Sequence, residues 1–123
     1  MSIWTHVAAV IRVDALRLAG FPKGRDLLTA LAKDLPCGSE GPLEYTIRVN
    51  PEHHHLAAYV VTIFGDLRNY GSAQPVIDWL QEVTRGQMVR QGLAEISVEG
   101  HEPVRLRHVM EDDGTGHWER LPS

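Results

Sequence analysis

Hydrophobic and polar positions follow two different periods along this chain. Four segments have the continuous apolar runs or the strict alternation of β-strands, and they are Trp4–Leu16, Leu43–Val49, His55–Phe64 and Leu93–Val98. Two apolar stripes at helical spacing lie between them, and the first runs over Gly24–Leu35. The second follows Ser72, a candidate N-cap, and ends at Gly86; its buried residues are expected to be Val76, Ile77, Leu80 and Val83. The resulting order, β-α-β-β-α-β, is typical of a ferredoxin-like split βαβ sandwich.

The pattern predicts an α+β fold in which two helices cover one face of the sheet. The first and third strands are apolar on both sides, which suits interior strands, whereas alternation suits strands with one wet face. A turn at Glu99–Glu102 folds Val104–His108 back as an added C-terminal edge strand, with Arg105 and Arg107 on its wet face. We therefore expect an antiparallel or mixed sheet with strand order 5-4-1-3-2. We expect one domain over residues 1–110 and a C-terminal tail over 111–123, in which Trp118 is the residue that would dock.

The sheet face away from the helices is predicted to be apolar. Placing Val7, Ala9, Ile11 and Val13 under the helices leaves another set of side chains on the other face: Trp4, Ala8, Val10, Ala57, Tyr59, Val61 and Ile63. An apolar face left in water promotes association. We expect a second copy of the chain or the C-terminal tail to cover it.

Composition argues against several classes of protein. The 123 residues carry a net charge of −4, whereas a general DNA or RNA binder needs a basic face. Cys37 is the only cysteine, so no internal disulfide forms and a reducing compartment is expected. No apolar run approaches ~20 residues and no basic segment opens the chain, so we expect neither a membrane span nor a signal peptide. These features predict a cytoplasmic protein.

The segment Gly65–Gly71 is the strongest candidate for a binding site. Asp66, Arg68, Asn69 and Tyr70 stand there between two glycines and ahead of a helix N-terminus. Free N–H groups at a helix start attract anions, and an arginine adds a bidentate donor. The segment is therefore either a recognition loop for a carboxylate, a phosphate or a partner backbone, or a structural connection in which Asp66 and Arg68 pair with each other or cap a turn.

The predicted topology brings other residues to the same end of the sheet. Trp4 and His6 begin the first strand there, next to the loop with Cys37 and the Glu99–Glu102 turn. We therefore add Trp4 and His6 to the candidate binding residues. Trp4 and Tyr70 could serve either as packing at the edge of the core or as an exposed contact patch.

The sequence predicts no catalytic residue, no cofactor and no metal. His53, His54 and His55 lie on an extended segment, where His54 points away from its two neighbours, so the three cannot converge on one ion. Cys37 is expected to be a lone half-buried cysteine, and the carboxylates of the tail are expected to be solvated.

Two short motifs carry a resemblance to a known group of proteins. Trp4-Thr5-His6 precedes an apolar strand, and Gly65-Asp66-Leu67-Arg68 follows another. Over the first strand and the joint between the third strand and the second helix, about a third of the chain, the sequence resembles small uncharacterised proteins encoded by phages and prophages. The resemblance implies a bacterial cytoplasm, an accessory role during infection such as counter-defence, and a host or phage protein as partner.

Two hypotheses about function remain. The first is a non-enzymatic phage-type protein that binds another protein and forms a homodimer. The alternative is a small-ligand or nucleotide-binding domain, in one form a hydrolase, that uses Gly65–Gly71. An exposed patch without a deep pocket would favour the first hypothesis, and a concave site with perturbed ionisable groups would favour the second.

Overall fold

The computed structural model of this protein describes residues 2–15, 31, 34–50 and 57–122. The strands are β1 (Trp4–Ala15), β2 (Cys37–Gly38), β3 (Gly41–Pro42), β4 (Glu44–Asn50), β5 (Ala57–Arg68), β6 (Val89–Val98), β7 (Val104–Met110) and β8 (Gly116–Arg120). The helix with described bounds is α1 (Gln74–Thr84). No helix among these residues is long and apolar enough to cross a membrane.

Six strands form one antiparallel sheet in the order β4-β5-β1-β6-β7-β8, and β2 and β3 form a separate short hairpin. The order predicted for the first five strands is confirmed, with β1 and β5 as neighbours inside the sheet. β8 adds a further strand beyond β7, so the predicted edge strand is an interior strand. The segment expected to be a tail therefore contributes to the same sheet.

The predicted fold class, an α+β ferredoxin-like sandwich with two helices, is wrong, because the described residues are β-rich and form one six-stranded antiparallel sheet with one bounded helix, α1. The predicted first helix, Gly24–Leu35, falls almost entirely outside the described residues. Burial with a period of two continues through the last third of the chain, at Ala94 and Ile96 on β6, Leu106 on β7 and Trp118 on β8. This pattern builds a three-stranded meander, which makes the sheet the larger part of the fold.

β5 is longer than predicted. It continues through the predicted loop to Arg68, which pairs with Trp4 of β1. Gly65 interrupts the apolar alternation, but the fully buried Leu67 resumes it. At Gly65 the backbone has φ +147°, and a Cβ would lie 3.2 Å from Leu43 Cδ2. Gly65, which the sequence suggests as the start of a loop, is therefore a strand residue whose backbone lies close to Leu43.

The core lies between the sheet and α1. The four predicted β1 core residues are buried as expected, namely Val7, Ala9, Ile11 and Val13. The predicted phase of β5 is wrong, because Val61 and Ile63 are fully buried on the helix side. Phe64 lies on the other face and is 38% exposed. A continuous apolar run does not indicate which face is wet, so sequence alone left this phase undetermined.

α1 begins near its predicted start and ends as predicted. Its N-cap is Ala73 rather than Ser72, and Pro75 lies in the first turn, where its missing N–H costs nothing. Gly86, with φ +73°, follows the last turn. The helix buries Val76, Ile77, Leu80 and Val83 as predicted, and also Trp79, which is 7% exposed.

Candidate functional site

The sheet surface away from α1, here called the open face, has an apolar centre. Ala8 and Val10 on β1 lie beside Phe64 on β5 and Leu93 on β6, all with side chains on this face. Val10 and Leu93 are each 50% exposed. These four residues form the apolar centre, and they border a depression of about 410 Å³ that Thr62 and Leu121 also line. The predicted exposed face is thus confirmed for Ala8 and Val10, but β5 contributes Phe64 instead of Val61 and Ile63.

Ion pairs flank the apolar centre on the β6–β8 side. The Arg105 Nε donates to Glu95 Oε2 at 3.1 Å, and Arg107 Nη2 lies 3.2 Å from Glu119 Oε1. The hydrogen bond from Arg107, followed by one from His117, lowers the pKa of Glu119 below its ordinary value. The two arginines were expected on the wet face, and both are exposed there. Each forms an ion pair with a carboxylate on a neighbouring strand.

The predicted binding residues come together at one end of the open face. His6 and Asp66 are cross-strand partners, as are Trp4 and Arg68. The His6 Nδ1 lies 2.6 Å from Asp66 Oδ1, and His6 Nε2 lies 3.8 Å from Glu99 Oε1. The predicted proximity of these residues is therefore confirmed. Because β5 continues to Arg68, Asp66 and Arg68 belong to the sheet surface and not to a separate loop.

Arg68 is held by groups other than Asp66. Its Nη1 lies 2.9 Å from Glu40 Oε1, and its Nε donates to Ser2 Oγ at 3.0 Å. The guanidinium carbon lies 6.0 Å from the centre of the Trp4 ring, within the range of a cation–π contact. The hypothesis that Asp66 and Arg68 pair with each other is wrong, because each has its own partner on another element.

The turn after β5 is fixed to the β2–β3 hairpin. Asn69 has a left-handed φ of 58°, and its Nδ2 donates to Ser39 Oγ at 3.1 Å. The Ser39 N–H donates to the Arg68 carbonyl at 2.9 Å. Gly38 permits this approach, since a Cβ there would lie 2.6 Å from the Arg68 backbone nitrogen. The polar groups of the predicted loop are thus largely engaged within the protein.

Tyr70 packs against the core and is half-buried, and burial raises the pKa of its phenol. Its carbonyl oxygen accepts a hydrogen bond from the Thr5 hydroxyl, and its N–H donates to the Ile3 carbonyl at 3.3 Å. These contacts favour the interpretation of Tyr70 as packing at the edge of the core over that of an exposed contact patch.

The remaining candidates for chemistry lie elsewhere. The three histidines at 53–55 fall outside the described residues. Among the residues that the structure describes, no group of three or more His, Cys, Asp or Glu side chains is placed to hold a metal ion. Cys37 is exposed rather than half-buried, because it lies on the outer β2–β3 hairpin. Asp113 caps a turn by accepting hydrogen bonds from Thr115, and these bonds lower the pKa of its carboxyl.

Sequence reasoning missed Phe64 and Leu93 as members of the open face. For Leu93 a signal existed. Side chains alternate along a strand, so if Ala94 and Ile96 face the core, Leu93 faces the opposite side. For Phe64 the signal was the spacing of Ile63, Gly65 and Leu67. If these three share the core face of one strand, Phe64 lies on the other face. Comparison with known proteins adds no assignment, since no family model, curated protein or solved structure matches this chain.

Proposed function

We propose that this protein is a non-enzymatic binding protein that recognises a protein chain through the open face of its sheet. The observation that carries the proposal is the apolar centre, in which Val10, Phe64 and Leu93 are exposed side by side at 50%, 38% and 50%. Contiguous apolar side chains of this size, rimmed by charges, are typical of protein interfaces.

The shape of the open face supports a protein partner over a small molecule. Sites for small ligands enclose most of the ligand surface. The depression of about 410 Å³ is instead formed on a broad sheet surface by single side chains such as Ala8, Thr62 and Phe64. A flat surface of this kind matches another flat surface better than it encloses a compact ligand.

The residues of Gly65–Gly71 give the small-ligand alternative less support. Arg68 pairs with Glu40, and Asn69 donates to Ser39. An anion would have to displace Glu40 before it could accept a hydrogen bond from the Arg68 Nη1. The accessory phage role that the resemblance implies stays a prediction.

A photo-cross-linking amino acid tests the proposal directly. Placed at position 93 in cells that express the protein, it should yield covalent adducts of defined mass after illumination. Placed at position 85, after the end of α1, it should yield none, because that site lies on the covered side of the sheet. Adducts at position 93 should disappear when Val10→Lys is added, while the melting temperature stays within a few degrees, since Val10 is half exposed. Equal labelling at both positions, or adducts that persist in Val10→Lys, would overturn the proposal.

A further inference from the structure

The charges of the open face are separated along the strand direction. Arg48 on β4 and Arg12 on β1 both pair in register with Val60 of β5, so they flank it in one row across the sheet. We call this row the arginine row. Both arginines are exposed, and neither forms an ion pair with a described residue. The row therefore carries two positive charges that the described part of the chain does not neutralise.

The opposite end of the open face is acidic. Asp66 and His6 pair in register, and Ser97 continues the same row on β6. We call this row the Asp66 row. Asp66 has 63% of its side chain exposed. Glu44 lies one row nearer the centre and, unlike Asp66, which contacts His6, forms no ion pair with a described residue.

The apolar centre lies midway between these two rows. Val10 and Leu93 form the row next to the arginine row, and Ala8 and Phe64 belong to the row next to the Asp66 row. Arg12 and His6 are six residues apart on β1, which corresponds to about 20 Å. Across β4, β5 and β1 the face therefore runs from basic through apolar to acidic over four rows, whereas on β6–β8 the two central rows carry the ion pairs Glu95–Arg105 and Arg107–Glu119.

This sequence of rows is complementary to itself. Rotation by 180° about an axis that crosses the strands, between the Val10 and Ala8 rows, sets the arginine row of one face against the Asp66 row of another. Because each residue keeps its column, Asp66 lies opposite Val60 and hence between Arg12 and Arg48 of the facing copy. In the β7 column Arg105 lies opposite Arg107, and each arginine keeps its own carboxylate, Glu95 or Glu119, beside it. Rotation about an axis parallel to the strands would instead set the arginine rows against each other, which like charges disfavour.

We propose that the open face binds a second copy of this chain through this two-fold arrangement. The inference rests on the proposed function, because it names the partner of the same surface. Two sheets packed face to face lie about 10 Å apart with strands within about 30° of alignment, which keeps facing rows in register. Five strands by four rows cover on the order of 600 Å² in projection, close to the roughly 800 Å² per partner of a standard interface.

Sedimentation equilibrium tests the partner and the orientation together. The parent protein should sediment with twice the 13.7 kDa mass of one chain. Arg12→Glu should weaken self-association at least ~10-fold, because it sets a carboxylate beside Asp66 of the facing copy at two symmetric sites. Asp66→Arg should weaken it by at least as much, because it sets a guanidinium between Arg12 and Arg48 at both sites. Mixed in equal amounts, the two variants should associate more tightly than either does alone, since one site then keeps the parent charges and the other sets the new carboxylate against the new guanidinium. Arg85→Glu, on the covered side, should leave the mass unchanged.

Each outcome decides a separate point. A monomeric parent protein would overturn the proposal that the partner is a second copy of this chain. Cross-links from position 93 to a different protein would in that case still support the proposed function. A dimer that survives both charge reversals, or variants that stay monomeric when mixed, overturns the orientation. Arg48→Glu repeats the test if Arg12→Glu fails to fold, as judged by its circular dichroism.

Discussion

The indole of Trp118 donates its Nε1–H to the carbonyl oxygen of Leu80 at 3.2 Å, which joins the last strand to the helix. The same nitrogen lies 3.1 Å from Thr84 Oγ1. A residue from the end of the chain thereby closes the core beneath α1.

Trp118→Phe should therefore destabilise the protein by about 2 kcal/mol, because it removes a buried donor and leaves a small cavity. Trp118→Ala should cost about 3–5 kcal/mol. Urea unfolding measures both changes. Trp4→Phe is the matched control, since Trp4 is only half-buried on the open face. Equal losses in Trp118→Phe and Trp4→Phe would show that β8 does not close the core.

Gly92 on β6 leaves the room that Trp118 and His108 occupy. A Cβ at this position would lie 2.8 Å from Trp118 Cη2 and 2.9 Å from His108 Cβ. Gly92→Ala should cost about 1–3 kcal/mol through overpacking. Gly71→Ala, where the nearest atom is Ile3 Cδ1 at 4.0 Å, should be nearly neutral. The melting temperature of each variant measures the change in stability. Unchanged stability in Gly92→Ala would contradict the close packing of Trp118 and His108 against Gly92.

His108 should make stability depend on pH. Its ring packs edge-on against Trp118 with centroids 5.3 Å apart, and its buried Nδ1 has no hydrogen-bond partner. Burial, with a smaller repulsion from His117, lowers the pKa of His108 to about 4. Since the unfolded ring titrates near 6.5, the unfolded state binds the proton more tightly, and stability is lost as pH falls from about 6.5 towards 4.

The expected loss through His108 is on the order of 1–2 kcal/mol, after allowance for solvent screening of the partly exposed ring. Urea midpoints at pH 7 and pH 4.5 measure it. His108→Phe should reduce the difference between the two midpoints, whereas His101→Phe, at an exposed turn, should retain it. If His108→Phe keeps the full difference, the pH dependence arises from carboxylates elsewhere.

The pair of Arg68 and Glu40 should contribute little to stability. Their side chains are 41% and 54% exposed, and ion pairs at such positions are usually worth under ~1 kcal/mol. A double-mutant cycle with Arg68→Ala and Glu40→Ala should therefore give a coupling energy below ~1 kcal/mol. A larger coupling would mean that this pair fixes the β2–β3 hairpin to β5. The parallel cycle for Arg105 and Glu95, another exposed pair, provides the comparison.

Sequence alone predicted the strand order but missed Phe64 and Leu93, half of the apolar centre. The apolar runs of β1 and β5 favoured interior positions for both strands, and the split βαβ topology then predicted the order of the first five strands, which the sheet has although the fold class is wrong. That order brought His6 next to Asp66 and Trp4 next to Arg68, although the members of each pair are 60 or more residues apart in the chain. Periodicity within a strand indicates whether one or both of its faces are apolar, and the order of strands depends on that property.

Only the tertiary structure decided which side of β5 is wet and where that strand ends. An uninterrupted apolar run has no phase, so the burial of Ile63 and the exposure of Phe64 depend on the register with Ala9 and Ala8 of β1. The β2–β3 hairpin likewise determines that Arg68 meets Glu40 and not Asp66. Such contacts join residues that are distant in the chain, and their partners are set by the packing of whole elements and not by any local pattern.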